Sequence, residues 1–441
     1  MARLLVANTF NEDIAGNHGK TLAHNRGQRM FWFAEDGDLI VLPQQPDEEF
    51  LEYATGLIRV RPDSLRFIVP PEGGEGWERL TGDRLTNSDF HEEIRAAAAG
   101  DGIEEILAFW PDPSVAALAE SLGIEDRLAG YEFLRQGGGL LTNSKAVFRV
   151  LAAAVGMPIA RGAVHTNLRS ATDSALRLIA DGVPLMLKQE YLSSGSGNYL
   201  LSPYEGVYPR GAREMVVVTD EDQVREYVAG RWDALTAKGR NRVVVEEYHP
   251  DSASVFAEFL IGDDGPELRG TGEMVYAPHG VGEIMPLPAQ PPGVTEHMVE
   301  CGRRLAQMAH SMGHRGYFSS DAIVTPEGRV LFTECNGRTS GSTHIYEIIG
   351  KKIIGGRYGH DRIILERTTW KVPSFAETLS AIRDADLAYD REEQKGVVLT
   401  TAFEPYVGDI AYCVAASDLA EATRLSEQAE KLFASSHSAV S

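Results

Sequence analysis

The sequence predicts a multidomain architecture that combines α/β and α+β parts. Three observations carry this. Residues 1 to about 135 alternate strand-like and helix-like pieces, as an α/β layer does. A strand–turn–strand unit runs from Tyr317 to Asn336, with its turn at Pro326-Glu327-Gly328. After about residue 350 the pattern restarts as a small α+β region. The boundaries expected are 1–135 for an N-terminal α/β domain, 136–350 for a central domain and 351–441 for a small C-terminal α+β domain.

The elements follow in order. Met1 to Asn8 is a short apolar run, read as a first buried strand. Leu39 to Pro43 and Leu65 to Pro70 are apolar runs closed by proline, as buried strands often are. Ile103 to Trp110 and Val115 to Leu122 are further strand or helix pieces, and Gly137-Gly138-Gly139 reads as a joint. Asn143 or Ser144 caps a helix that ends at Gly156, before Pro158. Val183 to Lys188 and Arg242 to Tyr248 are strands. A strand pair covers Val255 to Leu260 and Gly272 to Tyr276, and a helix spans about Thr295 to Met312. In the tail, Phe375 to Asp384 and Leu419 to Phe433 are helical, while Gly396 to Thr400 and Ala411 to Ala415 are strands.

Composition narrows the function. Of 441 residues 43% are hydrophobic, enough for several cores. Acids outnumber Lys and Arg 64 to 42, a formal charge of −22 that repels nucleic-acid backbones. A nucleotide can bind only through a local cluster of donors and metal. Three scattered cysteines, Cys301, Cys335 and Cys413, form neither a disulfide framework nor a zinc pattern, which fits a reducing cytoplasm. The N-terminus lacks the long apolar region of a signal peptide. No apolar stretch approaches the roughly 20 residues of a membrane span.

The chemistry concentrates in a few places. In the hairpin, Glu334 and Asn336 share a strand face, and Asp321 on the partner strand can meet them. Two carboxylates and an amide oxygen suit Mg²⁺; an edge hairpin with solvated charges is the plainer alternative. Between Lys20 and Lys238 the chain has only Lys145, opening a helix, and Lys188, ending a strand. Helix N-termini and lysines both suit phosphate, although two surface lysines at element ends would look the same. Ser193-Ser194-Gly195-Ser196-Gly197-Asn198 follows Lys188 and can form an anion nest, or be a flexible turn. The strand Val243 to Tyr248 ends in Glu246 and Glu247, supplying an apolar slot, backbone groups and a carboxylate for adenine, or simply solvated acids. His279, Glu283, Arg26 and Arg29 fit substrate contacts but equally a solvated surface. Trp110, Trp232 and Trp370 read as core.

The ordered set resembles the ATP-grasp superfamily: Lys145, then Lys188 with its small-residue loop, then Val-Glu-Glu-Tyr, then Asp321 and Glu334-Cys335-Asn336-Gly337-Arg338. The match covers about 140 to 345. With the regions on either side, the chain is most similar to the pheganomycin-type peptide ligases. The resemblance implies an ATP-grasp fold, two α+β subdomains gripping ATP, behind a pre-ATP-grasp domain. It implies that Lys145 and Lys188 contact ATP phosphates, and that Ser193, Ser194, Gly195, Ser196 and Gly197 close over them. It implies that Glu246, Glu247 and the Tyr248 backbone hold adenine. Asp321, Glu334 and Asn336 are the implied ligands of one or two Mg²⁺ ions, and Arg338 the stabiliser of the acyl or phosphoryl group. A glutamate that holds ribose in many relatives is missing, and Asp251 or Ser254 stands in its place. Ser340, Ser342 and Thr343, which follow Arg338, are expected at the substrate. The implied activity is ATP-dependent amide-bond formation through an acyl phosphate, in peptide natural-product (antibiotic) biosynthesis. Its partners would be a small carboxylate and an amine or peptide acceptor, with no nucleic acid or membrane, in a cytoplasmic homodimer. The rivals are an amino-acid or glutathione-type ligase, an ATP-dependent carboxylase and a non-catalytic ATP-binding regulatory module.

Overall fold

A computed structural model describes residues 2–9, 11, 25–74, 76–98, 102–192 and 195–434. Ser193 and Ser194 of the expected phosphate loop lie outside these residues. Four strands, β1 (Ala2–Val6), β2 (Leu39–Val41), β3 (Arg66–Ile68) and β4 (Ile103–Ala108), form a parallel sheet in the order β3-β2-β1-β4. Parallel strands need crossovers, and helices supply them. The helix Pro113–Leu122 starts with proline in its first turn, is capped by the Asp112 carboxylate and stops at Gly123, whose φ of 70° is left-handed.

A second sheet contains β5 (Gly162–His165), β6 (Leu185–Gln189), β7 (Asn198–Ser202), β8 (Glu214–Val217) and β9 (Val243–Glu247), in the order β5-β9-β6-β7-β8. Helices Leu168–Ala180 and Glu221–Leu235 bury one face, where Leu185, Leu187, Val243 and Val245 pack. Strand alternation therefore turns Met186, Lys188, Val244 and Glu246 to the other face.

The third sheet has eight antiparallel strands: β10 (Ala253–Gly262), β11 (Gly265–Tyr276), β12 (Gly280–Met285), β13 (Gly316–Val324), β14 (Val330–Asn336), β15 (Ile363–Lys371), β16 (Gly396–Leu399) and β17 (Asp409–Ala416). Their order is β14-β13-β10-β11-β12-β15-β17-β16. The helix Val294–Met312 packs Met298, Leu305 and Ala309 against Val255, Ala257 and Phe259. That leaves Ser254, Phe256 and Glu258 on the opposite face, in line with Ser319 and Asp321 of β13. The tail strands β15, β16 and β17 extend this sheet rather than building one of their own. One core joins Leu5, Phe31, Trp32 and Phe50 near the N-terminus to Val397, Tyr412 and Val414 in the tail. The Trp32 indole N–H donates to the Thr400 carbonyl at 2.9 Å across that junction. Among the described residues no helix is long and apolar enough to cross a membrane.

Candidate active site

The hairpin β13–β14 contains a bulge that decides its chemistry. Near the turn, Ala322 faces Phe332; one residue further on, Asp321 faces Glu334. Thr333 is the extra residue. Without it Asp321 would face Thr333, and Glu334 would turn to the helix-covered side, because a one-residue slip exchanges faces. With it, Asp321, Glu334, Ser319 and Asn336 line one surface. The Asn336 amide donates to Asp321 Oδ2 at 3.1 Å, and Ser319 donates to Asp321 Oδ1 at 2.9 Å. Arg338 Nη2 donates to Asn336 Oδ1 at 3.2 Å, and its guanidinium stacks 4.2 Å from the centre of the Trp110 ring. Burial, and then Glu334, push the Asp321 carboxyl up to about 8. Burial acts on Glu334 in the same direction, but Lys145, Lys188 and Arg338 outweigh it and hold that carboxyl below its usual range. The facing acids thus differ in how readily they ionise.

The two predicted lysines reach this surface from separate elements. Ser144 caps the helix Lys145–Ala154 by accepting from Val147 N, which sets Lys145 in its first turn. Lys145 Nζ pairs with Glu334 Oε2 at 2.8 Å and donates to the Leu192 carbonyl at 2.6 Å. Lys188 Nζ lies 2.5 Å from Glu246 Oε1, while Arg149 Nη1 lies 2.5 Å from Glu246 Oε2. Both Glu246 oxygens are therefore engaged by cations. Glu247 points elsewhere, 3.5 Å from Arg161. The Tyr248 backbone N–H donates to the Pro184 carbonyl at 2.8 Å, and its hydroxyl to the Tyr208 carbonyl at 2.8 Å. Of the residues expected around adenine, the structure thus brings Glu246 to the lysine side and sends Glu247 and Tyr248 to neighbours of their own. An apolar patch of Met186, Leu200, Val207 and Ala212 lies beside Tyr248.

Gly195, with φ of 76°, lies so close to Gly211 that an added Cβ would stand 2.6 Å from its carbonyl oxygen. The Gly197 carbonyl accepts from Gln189 N at 2.9 Å, which folds the Ser196–Gly197 turn back onto β6. Asp251 is exposed, with φ of 57° in the turn before β10. Ser254 lines a cavity of ≈ 220 Å³ together with Arg210, Ser252, Glu273, Met274 and Tyr276. Ser340, Ser342 and Thr343 converge on a residue that the sequence did not single out, the buried Glu258. Ser342 donates to it at 3.1 Å and Thr343 at 3.3 Å, and Ser340 and Tyr346 make short contacts with it. These hydroxyls are therefore turned inward to a carboxylate. Glu258 was detectable as the lone acid in the apolar run Val255 to Leu260. Arg149 and Glu190 were also missed. Glu190 accepts from Ser144 at 2.5 Å and from Arg242 N at 2.8 Å, locking the helix start to β9.

Chemically, the surface offers hard oxygen donors flanked by cations from three elements. Among the described residues no group of three or more His, Cys, Asp and Glu side chains gathers as a metal site; this set is two acids and an amide.

Comparisons with known proteins bear on this arrangement. A model described as the pre ATP-grasp domain matches residues 27–124, and one described as the PGM1 C-terminal domain matches residues 378–429. No curated protein matches the chain. Among solved structures, the chain is similar to the biotin carboxylase domain dimer of Hydrogenobacter thermophilus 2-oxoglutarate carboxylase, in complex with MgADP, ADP and bicarbonate. Identity is 15% and the TM-score 0.59, over 97% of this chain and 89% of that one. The Campylobacter jejuni biotin carboxylase, in complex with a β,γ-ATP ligand, has 14% identity and a TM-score of 0.60, over 97% and 90%. The Aspergillus clavatus N5-carboxyaminoimidazole synthase, with ADP and 5-aminoimidazole ribonucleotide, has 14% identity and a TM-score of 0.54, over 98% of each chain. The molecule therefore has the ATP-grasp fold, with a pre-ATP-grasp domain ahead of it and a PGM1-type C-terminal region behind.

Proposed function

We propose that this chain is an ATP-dependent ligase that joins a carboxylate to an amine through an acyl phosphate, releasing ADP and phosphate. The observation that carries this reading is the Asp321–Glu334–Asn336 surface with Lys145 and Arg338 in contact with it. The residues fit Mg²⁺: all offer hard oxygens, and Asp321 is a buried carboxyl held too basic for want of positive charge. Asp321, Glu334 and Asn336 would hold one or two Mg²⁺ ions, which would offset charge on the transferring phosphoryl group. The ATP and Mg²⁺ assignment is also supported by neighbours of the same fold, solved with MgADP or an ATP ligand.

This chain's own residues do the rest. Lys145 and Lys188 steady phosphate oxygens, and the loop from Ser193 to Gly197 closes over them, keeping water from a hydrolysable acyl phosphate. Arg338, stiffened by its stack on Trp110, orients the substrate carboxylate. The slot beside Met186 and Leu200 takes adenine, with Glu246, Glu247 and the Tyr248 backbone at its edge, and Ser254 or Asp251 the ribose. Ser340, Ser342 and Thr343 set the substrate wall through Glu258. The finer assignment is a peptide ligase of natural-product biosynthesis, acting in the cytoplasm as a homodimer.

A second reading, a carboxylase, is favoured by the titles of the neighbours. The test is incubation with ATP, Mg²⁺ and pools of amino acids, N-blocked acids and short peptides, with and without bicarbonate. ADP release with a product one water lighter than its parts supports the ligase. Release that depends on bicarbonate supports the carboxylase, and tight ATP binding without release the silent module. Glu334→Gln is expected to keep the fold and abolish ADP release; unchanged turnover would remove Glu334 from the metal set.

A further inference from the structure

Beyond the metal surface, the same sheet face continues into a region rich in opposed charges that none of the roles above uses. Glu283 of β12 and Glu366 of β15 are cross-strand neighbours, one step on from the pair Ile284–Leu365. The strands approach so closely here that a Cβ on Gly282 would stand 1.9 Å from the Glu366 carbonyl oxygen. Facing the two acids are Arg29, stacked 4.8 Å from the centre of the Phe109 ring, and Arg338, stacked on the next residue, Trp110. Arg29 feels both arginine neighbours, Arg26 and Arg338, and both acids, Glu366 and Glu283. Yet these charges do not neutralise one another directly. Among the described residues Glu283 Oε2, Arg29 Nε, Arg338 Nε and His344 Nε2 are buried with no hydrogen-bond partner, and His344 is only 2% exposed. Glu366, 5% exposed, has no ion pair or side-chain hydrogen bond among them. By contrast Glu258, on the same face, is surrounded by four hydroxyl donors. Unpaired buried polar groups are costly and rare in a folded protein unless something else completes them. Donors at one end and acceptors at the other specify a ligand that carries both charges.

We propose that this pocket binds a zwitterionic substrate, with its carboxylate on Arg29 and Arg338 and a protonated nitrogen on Glu283 and Glu366. The proposal rests on the ligase reading and names its substrate class: a free amino acid, or an acid whose side chain supplies the cation as a guanidinium. Binding measured by thermal shift and calorimetry in the presence of MgADP tests it without turnover. The probes are free amino acids, the same acids N-acetylated, their amides, and N-acetyl-arginine. Free amino acids are expected to bind at least tenfold more tightly than either the N-acetylated acids or the amides. N-acetyl-arginine binding as well as the free acids would support the same subsite, with guanidinium as the cation. Glu283→Gln, and separately Glu366→Gln, should erase the preference for the cation while MgADP binds as before. Arg29→Gln should erase the preference for the carboxylate. The proposal is overturned if N-acetylated acids without a side-chain cation bind as tightly as free ones, or if no probe binds where MgADP does. Failure of MgADP itself to bind the unaltered protein would instead remove the ligase reading, and this subsite with it.

Discussion

Glu246 sits between Arg149 and Lys188, each 2.5 Å away, so a single carboxylate balances two buried cations. Removing it leaves both uncompensated. Glu246→Ala is expected to destabilise the protein by about 3 kcal/mol or more, read as a lower denaturant midpoint. Lys188→Ala leaves Glu246 paired to Arg149 and should cost clearly less, while weakening nucleotide binding in a titration. Equal costs would show that the triad does not act as a unit. Glu366 gives a pH signature. Its carboxyl is pushed by burial from about 4.5 up to about 7, partly opposed by Arg29 and Arg26, with Glu283 facing it and His344 kept neutral. The folded chain therefore keeps a proton that the unfolded chain releases between those values, so this group's contribution to stability falls as pH rises from about 4.5 to 7. Glu366→Gln removes that loss, and the variant should gain on the parent protein between pH 5 and pH 8 in denaturant titrations. A constant gap across that range would contradict the shift.

At the level of elements, much was legible in the sequence, and for local reasons. Ser144 and Gly156 bracket a helix through capping and a left-handed stop, and Pro326-Glu327-Gly328 forces a turn between two apolar runs. What the sequence could not supply was register between distant strands. Glu283 and Glu366 are more than eighty positions apart, and only the β12–β15 pairing brings them together. Glu258 and Glu366, each alone among apolar neighbours, carry no local sign of their partners. The adenine-side expectation missed Arg149 because a helical arginine four residues beyond Lys145 is unremarkable until β9 packs beneath it. Gly337 is a further case. Its N–H donates to the Thr142 carbonyl at 3.0 Å, tying the end of β14 to the turn before Lys145, and an added Cβ would stand 2.2 Å from Thr142 Oγ1. Gly337→Ala should cost about 1–3 kcal/mol through overpacking and separate Lys145 from Glu334. Calorimetry and ADP release would report the two effects together; a silent substitution would mean that the turn adapts.

For the whole molecule, the shared sheet and core make the tail part of one structure. β12 loses its outer neighbour if β15 is deleted, and Trp32 and Phe50 lose the wall formed by Val397 and Tyr412. A chain cut after residue 350 is therefore expected to aggregate or stay unfolded, as judged by size-exclusion chromatography and near-ultraviolet circular dichroism. A cooperative, nucleotide-binding fragment would refute this. The bulge at Thr333 has a different kind of reach, into descent. Deleting that one codon would keep the reading frame and every residue of the Asp321, Glu334, Asn336 and Arg338 set. It would also turn the far end of β14 over, presenting Cys335 where Glu334 and Asn336 now stand. A gene family can thus shed this surface in a single step and still read, letter by letter, as though it had kept it.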